Sequence, residues 1–135
     1  MLRRVVLAAL WLPLLGAGSE LERLAGRWRS RITVIRSGRP MYTRLRLTFA
    51  ASGGFQVEEY AAAGPLAWIY KGTARVSPEK ELLLEMSAVT DPNGAEAEPG
   101  RARYEAGETY NMGAMEFLST ARVRVGALEL QRELE

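Results

Sequence analysis

Few side chains here could do chemistry, because the chain has no His and no Cys. Thiol nucleophiles, imidazole bases and nearly all zinc, haem and iron–sulfur ligation are thereby removed. Acid–base work falls to carboxylates, and their spacing does not favour it. Glu58 and Glu59 are adjacent, so on a strand they point to opposite faces and cannot act as a pair. Glu59 is in phase with Phe55 and Val57. It would stand exposed at a rim or turn inward, to pair with an interior Arg or to anchor a ligand's cation. Asp91, Asn93, Glu96 and Glu98 offer the oxygens of a loose calcium loop. The glycine and closing glutamate are not at the spacing such a loop needs, and a solvated turn is the plainer reading. No nucleophile elbow and no phosphate-cradling glycine loop is present. Neither enzymatic activity nor a cofactor or metal is expected.

Binding chemistry remains, in the aromatic and methionine side chains. Phe49, Phe55, Trp68, Tyr70, Met86, Tyr104, Tyr110, Met112 and Phe117 are candidates to line an interior. As a cavity wall they would suit a small hydrophobic or amphipathic ligand whose polar end is met by a Tyr hydroxyl or an Arg. As plain core they need no ligand. A small or partial cavity near Trp68 and Tyr70 is the expectation that separates the two.

The elements that must position these residues follow a period of two. Trp28, Ser30, Ile32 and Val34 share one face and Arg27, Arg29, Arg31 and Thr33 the other. Leu45, Leu47 and Phe49 alternate with Arg44, Arg46 and Thr48, and Ser52-Gly53-Gly54 turns the chain into Phe55 to Tyr60, a hairpin. A second hairpin joins Leu66 to Val76 with Leu82 to Ala88 through Ser77-Pro78-Glu79-Lys80, with a bulge or bend expected at Gly72. The longest connection starts at Asp91 and is rich in turn residues and acid. Beyond it, Tyr104 marks one strand, and Tyr110 to Phe117 a second, interrupted at Gly113. Thr120 to Val125 and Ala127 to Glu133 alternate again. About eight short strands, with no sustained helical period after Gly26, predict an all-β barrel or sandwich.

At 135 residues there is room for one domain. Residues 1–19 have the form of a secretory signal peptide: Arg3 and Arg4, an apolar run from Val5 to Leu15, then small residues up to Ser19. The run is too short to span a bilayer. The expected domain is therefore residues 20–135 of an exported protein, periplasmic or extracellular, with no transmembrane span once the signal is cleaved. The 18 basic and 16 acidic residues of the chain become 16 and 16 without Arg3 and Arg4, so a nucleic-acid partner loses its main support.

Two residues at opposite ends of this domain belong together. Arg132 is in phase with Leu128 and Leu130, hence inward, and an inward guanidinium is costly unless its donors are satisfied and its plane is stacked. Trp28, inward at the opening of the first strand, is a fitting partner through a cation–π contact. With Gly26-Arg27-Trp28 as a GxW motif, a preceding helical turn and the terminal-strand Arg132, the chain resembles the lipocalin/calycin superfamily, in the form of a small bacterial lipocalin-like domain. That resemblance implies an eight-stranded up-and-down antiparallel barrel. Gly26, Trp28 and Arg132 would latch its closed end, and its open end would admit small, mostly hydrophobic ligands. A TDxY-like motif, a disulfide and a helix after Arg132 are lacking, which puts a roomy pocket in doubt, since side chains can fill an eight-stranded barrel. The leading expectation is thus a noncatalytic ligand-binding barrel. The alternative is a filled barrel acting as an interaction or accessory module, its arginine-rich outer face of Arg27, Arg29, Arg31, Arg44 and Arg46 meeting an acidic partner or anionic lipid headgroups.

Overall fold

The period of two becomes eight antiparallel strands: β1 (Gly26–Arg36), β2 (Arg39–Phe49), β3 (Gly54–Tyr60), β4 (Leu66–Val76), β5 (Glu81–Thr90), β6 (Thr109–Ser119), β7 (Arg122–Val125) and β8 (Leu128–Arg132). The structure is a computed structural model that describes residues 20–62 and 64–133. The expected export segment, residues 1–19, lies outside the described residues. Each strand pairs with its neighbours in sequence and β1 returns to β8, so the sheet closes into an up-and-down barrel. One helical turn, α1 (residues 20–24), precedes β1. This architecture is consistent with the lipocalin-like fold that the ends of the sequence imply.

Inward positions carry the core and outward positions the charge. On β2, Leu45, Leu47 and Phe49 are buried while Arg44, Arg46 and Thr48 are exposed. Both predicted hairpins form, β2 with β3 and β4 with β5. The bulge expected at Gly72 is present as a register step between Lys71 and Gly72, which leaves Ser87 of β5 without a partner. A side chain on Gly72 would overlap the carbonyl of Glu85.

Two details differ from the sequence expectation. Tyr104 is on no strand; it lies in the connection of residues 91–108. From there its ring packs edge-on against Tyr70 and Tyr110, so it has the composition of a core strand without the backbone of one. β6 is also not interrupted at Gly113. It runs through, with Met112 as the extra residue of a bulge. Gly113 takes a φ of 105° and passes the β7–β8 turn so closely that a Cβ would sit 2.6 Å from the Cα of Gly126. Only glycine tolerates both conditions.

The latch is built from the C-terminal carbonyls of α1. A helix ends with carbonyls that have no partner inside it. Here Arg132 donates from Nη2 to the Arg23 carbonyl at 2.8 Å and from Nη1 to the Ala25 carbonyl at 2.7 Å. Trp28 Nε1 donates to the Leu24 carbonyl at 2.7 Å. The Nε of Arg132 reaches the Thr120 carbonyl in the β6–β7 turn at 2.9 Å, and its guanidinium carbon stands 4.2 Å from the Trp28 ring centroid. Gly26 is required beside it, because its φ is 121° and a Cβ would fall 2.7 Å from Arg132 Nη1. Trp28 and Leu24 are both fully buried and close this end of the barrel.

These contacts set an order of stability losses. Trp28→Ala should cost about 4 kcal/mol, a core aromatic with its cavity. Arg132→Ala should cost about 2 kcal/mol, from charged hydrogen bonds to backbone carbonyls. Arg132→Lys should stay close to Arg132→Ala, because one ammonium cannot reach three divergent carbonyls. Urea denaturation measures all three, and an unchanged midpoint in either alanine variant would remove the latch from the account.

Candidate functional site

The connections at the end away from α1 form the mouth of the barrel. They are the β1–β2 turn, residues 61–65, residues 91–108 and the β7–β8 turn. The longest of them is tied down rather than free. The Ala97 amide donates to the Val89 carbonyl, and Met86 exchanges backbone bonds with Gly107 and Glu108. Asp91, a candidate calcium ligand in the sequence, uses Oδ1 to accept the amides of Asn93 and Ala95 in a turn. Among the described residues, no group of three acidic side chains is placed to hold a metal ion.

A polar network lies just under the mouth. Glu59, in phase with Phe55 and Val57, is inward and buried at 8% exposure, which excludes the rim alternative. Its Oε1 accepts the Tyr70 hydroxyl at 2.7 Å, and its Oε2 accepts Nη2 of Arg103 at 3.3 Å. The Arg103 amide in turn donates to the Tyr70 oxygen at 3.2 Å. Arg103 thus binds the long connection to β3 and β4 at two points. No buried side-chain nitrogen or oxygen among the described residues lacks a partner. Burial, and then the hydrogen bond to Glu59, pushes the Tyr70 hydroxyl well above its ordinary value. Burial raises that of Tyr104 as well.

Above the network a cavity of about 370 Å³ opens to solvent. Met41 and Thr43 of β2, Trp68 of β4, Ala61 and Ala62 of the β3–β4 connection, and Arg101 to Arg103 enclose it, with Glu59 at its base. No protein-family model matches this chain, and no curated protein is similar to it in sequence. What the mouth can bind must therefore be argued from its own walls. Its charged groups are one carboxylate, already bonded to Tyr70 and Arg103, against the two guanidinium groups of Arg101 and Arg103. Its apolar groups are Met41, Trp68 and alanines.

The nine aromatic and methionine candidates do not share one wall. Trp68 borders the mouth cavity. Tyr70 is fully buried, and Tyr104 and Tyr110 stack on it in turn, edge to face and half-buried, with centroids 5.2 Å and 4.7 Å apart. Met86 is fully buried, and Met112 packs half-buried against the same core. Phe49 and Phe55 lie 6.4 Å apart toward the latch end, and Phe117 meets the Arg23 guanidinium there at 3.9 Å. Of the cavity residues, the sequence signalled Glu59 and Trp68 but not Met41, Thr43, Arg101 or Arg103. Met41 and Thr43 could have been found by extending the alternation of Leu45, Leu47 and Phe49 backward. Arg101 and Arg103 stand out as two bases two residues apart in an acidic connection, a weaker signal.

The raised Tyr70 value fixes a pH dependence. The folded protein keeps this hydroxyl protonated to higher pH than the unfolded chain does. Its contribution is whole below the ordinary tyrosine value of 10.0 and is lost as pH rises above it. Denaturation midpoints followed from about pH 8 to about pH 11 should fall in the wild type above about pH 10. In Tyr70→Phe they should begin lower, with a shallower alkaline decline. An equally steep decline in the variant would assign the alkaline loss to other groups.

Proposed function

We propose that this chain is an exported, noncatalytic, lipocalin-like domain that holds a small amphipathic molecule at the mouth of its barrel. The observation that carries the reading is the mouth cavity itself, about 370 Å³ with an apolar flank at Met41 and Trp68 and cationic groups at Arg101 and Arg103. That volume lies within the range of small-molecule sites. The pairing of walls favours a ligand with an apolar body and an anionic end, since Glu59 is already neutralised by Arg103 and Arg101 is bonded only loosely, to Glu98 at 3.9 Å. The latch at Gly26, Trp28 and Arg132 supports the lipocalin-like assignment. The form of residues 1–19 supports export.

A filled barrel serving as an interaction or accessory module is the second reading. It is favoured by the fully buried Tyr70, Leu84, Met86 and Leu130, which leave the ligand a cup rather than a deep calyx.

Fluorescence titration separates the two readings. Trp28 is fully buried at the latch and Trp68 borders the cavity, so a change at the mouth is read as the difference between wild type and Trp68→Phe. Amphiphiles of about ten carbons, decanoate, decanol and decylammonium, are the probes. Decanoate should bind tightest, and Arg101→Ala or Arg103→Ala should weaken it about tenfold, one charge-assisted hydrogen bond. Failure of all three probes to alter Trp68 emission would leave the filled barrel as the reading.

A further inference from the structure

We infer that the β1–β2 hairpin is a docking arm for the surface of an anionic phospholipid bilayer. β1 and β2 pair along their whole length, from Gly26 with Phe49 to Arg36 with Arg39. Their outer neighbours do not follow. β3 pairs with β2 only from Arg44 onward, and β8 meets β1 only at Trp28 and Arg29. A two-stranded ribbon of roughly residues 33–42 therefore extends past the ladders of its neighbours, its inner side at Met41 bordering the mouth and its outer side facing solvent.

The turn of that ribbon is Ser37-Gly38, with Arg36 opposite Arg39, and just behind it apolar side chains meet solvent. Ile35 is 65% exposed, Tyr42 49% and Met41 37%. Ile35 and Tyr42 share the outer face, opposite Pro40 and Thr33. Behind them on the same face come two rungs of directly opposed arginines, Arg31 with Arg44 and Arg29 with Arg46. Like charges facing each other across a strand pair are unfavourable unless an anion lies between them. Among the described residues, only Arg46 of the four has a carboxylate partner, Glu133 at 3.0 Å. Arg31 and Arg44 are aligned instead by tyrosine rings, Tyr42 at 5.1 Å and Tyr60 at 5.2 Å, and Arg29 by the Gln131 amide oxygen. The four border a groove of about 760 Å³ whose acids, Glu129 and Glu133, are already paired with Arg122 and Arg46.

The order along the arm is what selects a bilayer. On the outer face, behind the turn, the apolar rung of Ile35 with Pro40 comes first, then Tyr42 with its hydroxyl, then the opposed arginines. Those are the preferences met on moving outward from the acyl boundary through the interface to the phosphates. At the rise of an extended strand, Ile35 stands roughly 13 Å beyond Arg31, so with the outer face laid obliquely on the interface Ile35 and Tyr42 enter it while Arg31 and Arg44 stay at phosphate level. An acidic protein or a nucleic acid would engage the arginines but would leave the exposed Ile35 and Tyr42 unexplained. The docking face is the outer one, with Ile35, Tyr42 and the arginines, whereas Met41 on the inner face belongs to the mouth, so docking does not depend on any ligand there.

The test places a reporter at Ile35 in the full chain. Ile35→Trp should shift its emission to the blue, and be quenched by brominated lipid, with phosphatidylcholine vesicles containing a quarter phosphatidylglycerol. It should not respond to phosphatidylcholine alone. Adding Arg29→Gln, Arg31→Gln and Arg44→Gln should weaken the response about a hundredfold, since three surface cations are removed. High salt should act in the same direction. The triple variant relieves opposed like charges, so its melting temperature should hold, and a change in response is not a folding defect. The signal is read as the difference between Ile35→Trp and the wild type, which removes the contribution of Trp11 in the N-terminal segment and of Trp28 and Trp68. An unshifted reporter on vesicles that sediment the protein, equal response to both lipid compositions, or binding to poly-glutamate or DNA but not to vesicles would overturn the proposal.

Discussion

The fold depends on joining its first strand to its last across a seam of only two registered pairs, Trp28 with Arg132 and Arg29 with Gln131. A sheet that fails to close exposes two edges, each a row of unpaired backbone groups. Arg132 makes so short a seam sufficient because its one planar group serves four groups on two other stretches of chain. It accepts the Trp28 ring against its face, satisfies the carbonyls of Arg23 and Ala25, and reaches the Thr120 carbonyl in the β6–β7 turn. A half-buried cation with all three of its nitrogens bonded is stabilising where a lone one would be costly. The demand for Gly26 follows from the same crowding.

Closing one end by backbone contacts leaves the other end to side chains and loops. In an eight-stranded barrel the interior is just wide enough to be filled, and Trp28, Tyr70, Leu84, Met86 and Leu130 help to fill it here. The Glu59, Tyr70 and Arg103 network then fixes the long connection across the top, so that the space left is a cup between that connection and the base of the β1–β2 arm. Chemistry of recognition is thus concentrated where the backbone ladder runs out. The same imbalance of strand lengths that opens the cup lets the β1–β2 hairpin extend past its neighbours.

Much of the barrel was legible because alternation reports directly on which face of a strand is buried. Arg44 to Phe49 is the plainest case, with every second residue buried as its type requires. The latch was legible for a different reason: an arginine in phase with Leu128 and Leu130 violates that pattern and demands a partner, and Trp28 was the available aromatic at the far end. What did not read out were places where packing is decided by loops. Tyr104 has core composition but is delivered by a connection, and Arg103 beside it acts through a contact with a residue forty-four positions away. Gly113 has the composition of a break, yet it marks a crossing too close for any side chain, a distance no local pattern encodes. The nine aromatic and methionine residues could be placed inward but not sorted among latch end, middle and mouth, because period two gives the face and not the depth.

The central claim is that the latch end is the firm closure of the barrel and the mouth its less stable, recognising end. Native-state hydrogen exchange tests it most directly. The amides of Arg132 and Glu133, bonded to the carbonyls of Ala121 and Arg27, should exchange only through global unfolding. Those of Ala97 and Arg103, bonded to the Val89 carbonyl and the Tyr70 oxygen at the mouth, should exchange through a smaller local opening. Seam amides that exchange faster than those at the mouth would contradict the account.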